Sequence, residues 1–223
     1  MHVPLAGSKA TDGMLYESFE EAWNDTTRYC SVKEDLIWGY TAVVRGAHKI
    51  AGKYGRDWPS LLQEAAEAGC ITAGLLASGP PEKGPGRSWM AEVSTNPSGD
   101  YTLTASFLQQ SPHFGPVEIT DMGMVTQGTI VTVEVGTFNF TNNKTPIRLT
   151  SSQWIVNLGS NLHGGGWEKG ATGIIFTQRS GFGGNAAALI MVEDRSPGHY
   201  RRIGWAAVDT PRVELAKVNV CIG

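Results

Sequence analysis

Charge is scarce in this chain. Of 223 residues, 17% are Asp, Glu, Lys or Arg, and the formal net charge is -3. No run of basic residues occurs, and Arg201-Arg202 is too short for a basic patch. The electrostatic footprint of nucleic-acid binding is therefore missing. Long apolar runs are missing too: no stretch approaches the roughly 18 apolar residues that a membrane helix needs. Met1 to Gly13 shows no positive segment followed by an apolar one, so no secretory signal is expected. Cysteine is rare. Cys30, Cys70 and Cys221 are odd in number and far apart, which argues against a disulfide framework and for a reducing compartment. Together these absences predict a soluble, cytoplasmic protein. Asn24-Asp25-Thr26, Asn139-Phe140-Thr141 and Asn143-Lys144-Thr145 match the glycosylation sequon and are read as chance.

Glycine is plentiful, at 28 residues, and hydrophobic residues make up 41%. That apolar share is enough for a core, and the glycine suits a loop-rich β protein. The first third nevertheless reads as helical. Ser18-Phe19-Glu20-Glu21 is a capping box that predicts a short helix to about Tyr29. Ser31-Val32-Lys33-Glu34 repeats the signal. Behind it, Leu36, Ile37, Tyr40, Val43, Val44, Ala47, Ile50 and Ala51 recur at helical spacing, which predicts a helix over 32–52. Asp57-Trp58-Pro59 opens another helix, with apolar Leu61, Leu62, Ala65 and Ala66, and Gly69 stops it.

The string GPPEKGPG at 79–86 is a turn-rich connector. Downstream the period moves towards two. Tyr101, Leu103, Ala105 and Phe107 alternate with polar residues, and 128–141 is rich in Val, Thr and Phe. Further strands are predicted over 173–178, 187–193, 200–208 and 213–221, with Gly-rich loops between them. The expected organisation is a helical part over 1–78, a connector over 79–99 and a β part over 100–223, forming one compact domain. The expected fold class is α+β, with N-terminal helices packed on a C-terminal antiparallel β barrel or sandwich.

No complete catalytic motif stands out. His163-Gly164-Gly165-Gly166 matches the oxyanion string of esterases, but Gly-x-Ser-x-Gly is missing, so a strand-connecting loop is the plainer reading. Gly181-Phe182-Gly183-Gly184 has the wrong spacing for a phosphate loop and is followed by strand-like residues, which suggests a hairpin. His2, His48, His113, His163 and His199 pair with no other ligand at metal spacing, so neither metal nor cofactor is expected. Adjacent acids such as Glu34-Asp35 do not face each other on a helix and make poor acid–base pairs. Of the tryptophans, Trp89, Trp154 and Trp205 read as core, whereas Trp167 in a Gly-rich loop is the best candidate for exposure.

Several strings resemble the region downstream of the HET domain in fungal heterokaryon-incompatibility proteins. They are KEDLIWGYTAVVRGA, DWPSLLQEAAEAG, AGLLASG, PGRSWM, GMVTQGTIVTVEV and AALIMVEDRSPGHYRRIGWAAVD. The similarity covers about residues 18–210. The effector-like HET domain itself has no counterpart here, so no family catalytic residue transfers. The resemblance implies a non-catalytic binding or interaction module of fungal cytoplasm, with a small molecule or a protein as partner. His163, Trp167, Tyr200 and Arg202 are the candidate contact residues. The alternatives are an enzyme that shapes a fungal metabolite in a β-domain pocket, with the same candidates, and a self-associating structural protein built on exposed strand edges.

Overall fold

A computed structural model describes residues 15–25, 29–50, 57–102, 117–136, 144–152, 155–177, 185–210 and 216–223. The sequon triplets, the alternation beyond 102, Trp154, His2, His113 and the Gly181–Gly184 string fall wholly or partly outside them.

The protein is α+β and rich in sheet. Helix α1 (Phe19–Asp25) starts as the capping box predicts: Glu21 N–H donates to Ser18 Oγ at 3.3 Å. The Glu21 carboxylate reaches back one residue further than usual and accepts from Glu17 N–H at 2.8 Å. Helix α3 (Trp58–Glu67) is capped by Asp57, whose carboxylate accepts from Ser60 N–H, and has Pro59 in its first turn. It buries Leu61, Leu62, Ala65 and Ala66, and Gly69 ends it in the left-handed region at φ +76.

The helix expected over 32–52 is a correction. Among its described residues, 32–50, only Asp35–Trp38 is α-helical (α2), and Ala47–Lys49 forms a separate 3-10 turn. Two local features break the run. Gly39 caps α2, and Gly46 takes φ +82. Between them, the N–H groups of Val43 and Val44 still donate to Tyr40 O, but the chain of Tyr16 then takes over in a bridge: Tyr16 N–H donates to Val43 O and Arg45 N–H to Tyr16 O, both at 2.7 Å. Apolar periodicity here marks burial of Leu36, Ile37, Tyr40, Val44, Ala47 and Ile50 and not helix.

Strands β1 (Ser94–Thr95) and β2 (Tyr101–Thr102) form a small hairpin. The main sheet contains β3 (Glu118–Thr120), β4 (Gly123–Val135), β5 (Thr145–Thr150), β6 (Ile155–Ser160), β7 (Leu162–Gly164), β8 (Ala171–Thr177), β9 (Asn185–Ser196), β10 (His199–Thr210) and β11 (Val218–Ile222). Its order is β11-β10-β9-β8-β4-β5-β6, and all its pairings are antiparallel except β10 with β11. Besides pairing β3 and β5, the long β4 serves two further neighbours in succession. Its first half pairs β11 and its second half pairs β8. The path through β4, β8, β9, β10 and β11 therefore returns to its own start.

Side chains alternate between two buried clusters, as a pleated strand requires. Ala187, Leu189 and Met191 of β9 join Val131, Val133, Ile147, Leu149, Ile175, Ala206 and Val208. Ala188, Ile190 and Val192 belong instead to a larger cluster that also contains Phe19, Trp23, Trp58, Leu61, Leu75 and Trp89. One continuous core thus includes residues from both sides of the 79–86 connector.

Candidate functional site

The four candidate contact residues do not form one site. His163 and Trp167 lie together at β7. This strand, which the sequence suggested was loop, pairs Leu162, His163 and Gly164 with Ala206, Trp205 and Gly204 of β10. The exposed His163 ring stacks on Trp205, with centroids 4.0 Å apart and planes 12° from parallel. Trp167 is half-buried, packs against the cluster of Val131 and Met191, and donates from Nε1 to His163 O at 3.1 Å. Its exposure is thus smaller than its loop position suggests.

Arg202 is a structural residue. It is 0% exposed, with its guanidinium turned to main-chain carbonyls. Its Nε donates to Ser88 O at 2.8 Å, Nη1 to Leu76 O and to Gly79 O at 2.7 Å, and Nη2 to Met90 O at 2.8 Å. Its own N–H donates to Ser88 Oγ at 2.9 Å, and that hydroxyl donates onward to Gly223 O at 2.8 Å. Burial lowers the guanidinium pKa to about 9, still well above neutrality, so the group is a cation spread over carbonyl dipoles.

Tyr200, two residues earlier, lines a cleft of about 410 Å3. Gly84, Pro85 and Gly86 form one wall, and Arg195, His199, Tyr200 and Arg201 from the β9–β10 hairpin form the other. Met122 and Gly223 complete the lining. The hairpin turns through Pro197 and Gly198, the latter at φ +78, which sets Arg195 and Arg201 on either side of a tight reversal. Arg195 Nη2 lies 2.8 Å and Arg201 Nη1 3.7 Å from the same oxygen, Glu193 Oε2. Tyr200 is 8% exposed; burial, reinforced by the negative charge of Asp194, raises its pKa and keeps it a neutral phenol.

Of the four sequence candidates Tyr200 lines this cleft, and sequence reasoning had not singled out its neighbours Arg195, His199 and Gly84–Gly86 as contacts. The available signal was basic residues flanking the Ser196-Pro197-Gly198 turn. Their convergence with a connector more than a hundred positions earlier has no local mark. Among the described residues, no group of three or more His, Cys, Asp or Glu side chains is placed to hold a metal ion. Cys30, Cys70 and Cys221 are free thiols, and burial raises the pKa of Cys70 and Cys221. Among the described residues, no helix is long and apolar enough to cross a membrane. In comparisons with known proteins, the chain matches no family model, no curated protein and no solved structure.

Proposed function

We propose that this chain is a non-catalytic binding module, a relative of the accessory region that follows the HET domain in fungal heterokaryon-incompatibility proteins. It works in the fungal cytoplasm on a small molecule or a protein partner, and not on nucleic acid or membrane. One observation carries the reading: two of the strings behind the resemblance meet at the cleft. PGRSWM supplies Pro85 and Gly86 to one wall, and DRSPGHYRRIG supplies Arg195, His199, Tyr200 and Arg201 to the other. Directly beneath, Arg202 ties itself to Ser88 and Met90 of the first string. The strings therefore have a physical reason to occur together. In this reading the N-terminal helices pack on a small barrel closed by the β11–β4 pairing, and the cleft opens where the connector crosses the barrel's end.

Native mass spectrometry before and after incubation with fungal cell extract tests the proposal. The expected result is a discrete gain of a few hundred daltons that disappears in Met122→Trp. Met122 is 60% exposed, so an indole there fills the cleft mouth without entering the core. Persistence of the adduct in that variant would move the binding site elsewhere. The cleft also favours a second reading, an enzyme acting on a fungal metabolite, because its volume of about 410 Å3 is that of a small-molecule site and it holds an imidazole and a phenol. A turnover abolished by His199→Ala or Tyr200→Phe would replace the binding module with that enzyme.

A further inference from the structure

Among the described residues that line the cleft, every charged side chain is basic: Arg195 and Arg201, with the titratable His199 between them in sequence. The two guanidiniums share a single carboxylate oxygen of Glu193. All three of these side chains are about half exposed, at 52%, 51% and 49%, so the trio is open to exchange with a ligand from solution. Asp194 stands opposite Tyr200 in the hairpin register, and its field falls on that phenol. Two cations facing one tethered monoanion remain under-neutralised. Each guanidinium fork can take two oxygens, and Glu193 engages both forks through one.

A ligand must compete with Glu193, which sits beside the forks at high effective concentration. A carboxylate ligand brings the same group and the same single charge, and gains nothing over it. A phosphate monoester brings two charges and three terminal oxygens, enough for both forks at once. The remaining lining suits the organic part of such a molecule. Met122 offers an apolar chain, and Gly84-Pro85-Gly86 offers a lining with little side-chain bulk. The volume of about 410 Å3 accommodates a sugar phosphate.

We propose that the cleft binds a small phosphate ester of sugar-phosphate size, whose phosphate displaces Glu193 from Arg195 and Arg201. The inference rests on the binding-module reading and names its ligand class. Calorimetric titration of the whole chain with ribose 5-phosphate, ribose and inorganic phosphate tests it, using the wild type, Arg201→Met and Glu193→Gln. The expected result is saturable binding of ribose 5-phosphate that weakens as salt is added, with none for ribose. Arg201→Met weakens binding about tenfold or more, and Glu193→Gln tightens it several-fold. A tightening cannot come from damage to the fold, which keeps the Glu193 variant informative even if the Arg201 variant folds poorly. Absence of binding by ribose 5-phosphate overturns the proposal. So does equal or weaker binding by Glu193→Gln, or inorganic phosphate binding as tightly as the ester. A neutral adduct recovered from extract, alongside no binding of ribose 5-phosphate, would sink this inference and leave the binding module standing.

Discussion

Arg202 holds the main chain of residues 112 to 126 positions earlier in the sequence through one guanidinium. Removing that guanidinium takes the donor from the carbonyls of Leu76, Gly79 and Ser88 at once, while Met90 O keeps Glu82 N–H, and each stranded group costs about 1 kcal/mol or more. Arg202→Met should therefore destabilise the protein by at least about 3 kcal/mol in urea titrations, whereas Arg201→Met, half exposed, should cost under about 1 kcal/mol. Equal effects of the two would remove the structural role given to Arg202. Glu20 shows the opposite situation, a buried carboxyl with too few partners. Its Oε1 accepts from Thr72 N–H at 2.8 Å and Thr72 Oγ at 3.2 Å, while Oε2 has no hydrogen bond. Burial is the dominant cause that raises its pKa from 4.5 to about 7, against the hydrogen bonds of Thr72 and Ser18, which lower it. The folded state thus holds this proton more tightly than the unfolded chain. Its contribution is fully present below pH 4.5 and is lost as pH rises through about 7. The loss is on the order of 3 kcal/mol. Thermal melts of the wild type should fall over that window, and Glu20→Gln should flatten this part of the profile. An unchanged slope in the variant would assign the pH dependence to other groups. Both residues looked ordinary in sequence. Arg202 stood among the candidate contact residues, and Glu20 within a capping box at a helix start. Burial decided both, and burial at a single position is a property of the fold around it.

Element boundaries were legible wherever a local chemical cause fixes them. Asp57, Pro59 and Gly69 start and stop α3 by side-chain capping, fixed φ and positive φ respectively, all of which act within a few residues. The strands at 187–193 and 200–208 were legible as runs between Gly-rich loops and extend a little further in the fold, to Asn185–Ser196 and His199–Thr210. The segment 32–52 was misread because turns stitched to Tyr16 bury the same apolar residues that a helix would. Strand β7 was missed because its glycines look like loop. Those glycines are instead what allows the strand to pair. A Cβ at Gly204 would fall against main-chain oxygens of Gly165 and His163, the latter at 2.7 Å, so β7 can lie on β10 only if position 204 has no side chain. Gly204→Ala should detach β7, unstack His163 from Trp205 and cost about 2 kcal/mol or more. The detachment would register as a changed tryptophan emission and faster amide exchange at 162–164. Unchanged emission with full stability would mean that the strand tolerates the methyl group.

At the scale of the whole molecule, the composition shift at 79–86 marks a change of secondary structure, and the physical question is whether it also separates folding units. Three features argue that it does not. The largest buried cluster takes Phe19, Trp58 and Leu75 from before the connector and Met124, Ile190 and Ile222 from after it. Arg202 reaches from the β part to the carbonyl of Leu76 in the helical part and to those of Gly79, Ser88 and Met90 in the connecting stretch 79–99. The connector itself is pinned, with Pro81 bridged to Ala91 and Glu82 N–H donating to Met90 O at 2.9 Å. The cleft belongs to this same scale. Its lining comes from the connector and from a hairpin over a hundred residues later, which is why periodicity and motif spacing could not assemble it. Neither part can bury its share of that cluster alone, so neither should persist when the other unfolds. Urea unfolding followed by far-ultraviolet dichroism, which reports helix and sheet together, and by fluorescence of the tryptophans should give one transition with a common midpoint. In Arg202→Met both probes should move to lower urea together, because the lost bonds join the two parts and belong to neither. If the midpoints separate in the wild type, the connector divides two independently stable units. If they separate only in the variant, Arg202 is the fastening that makes them one.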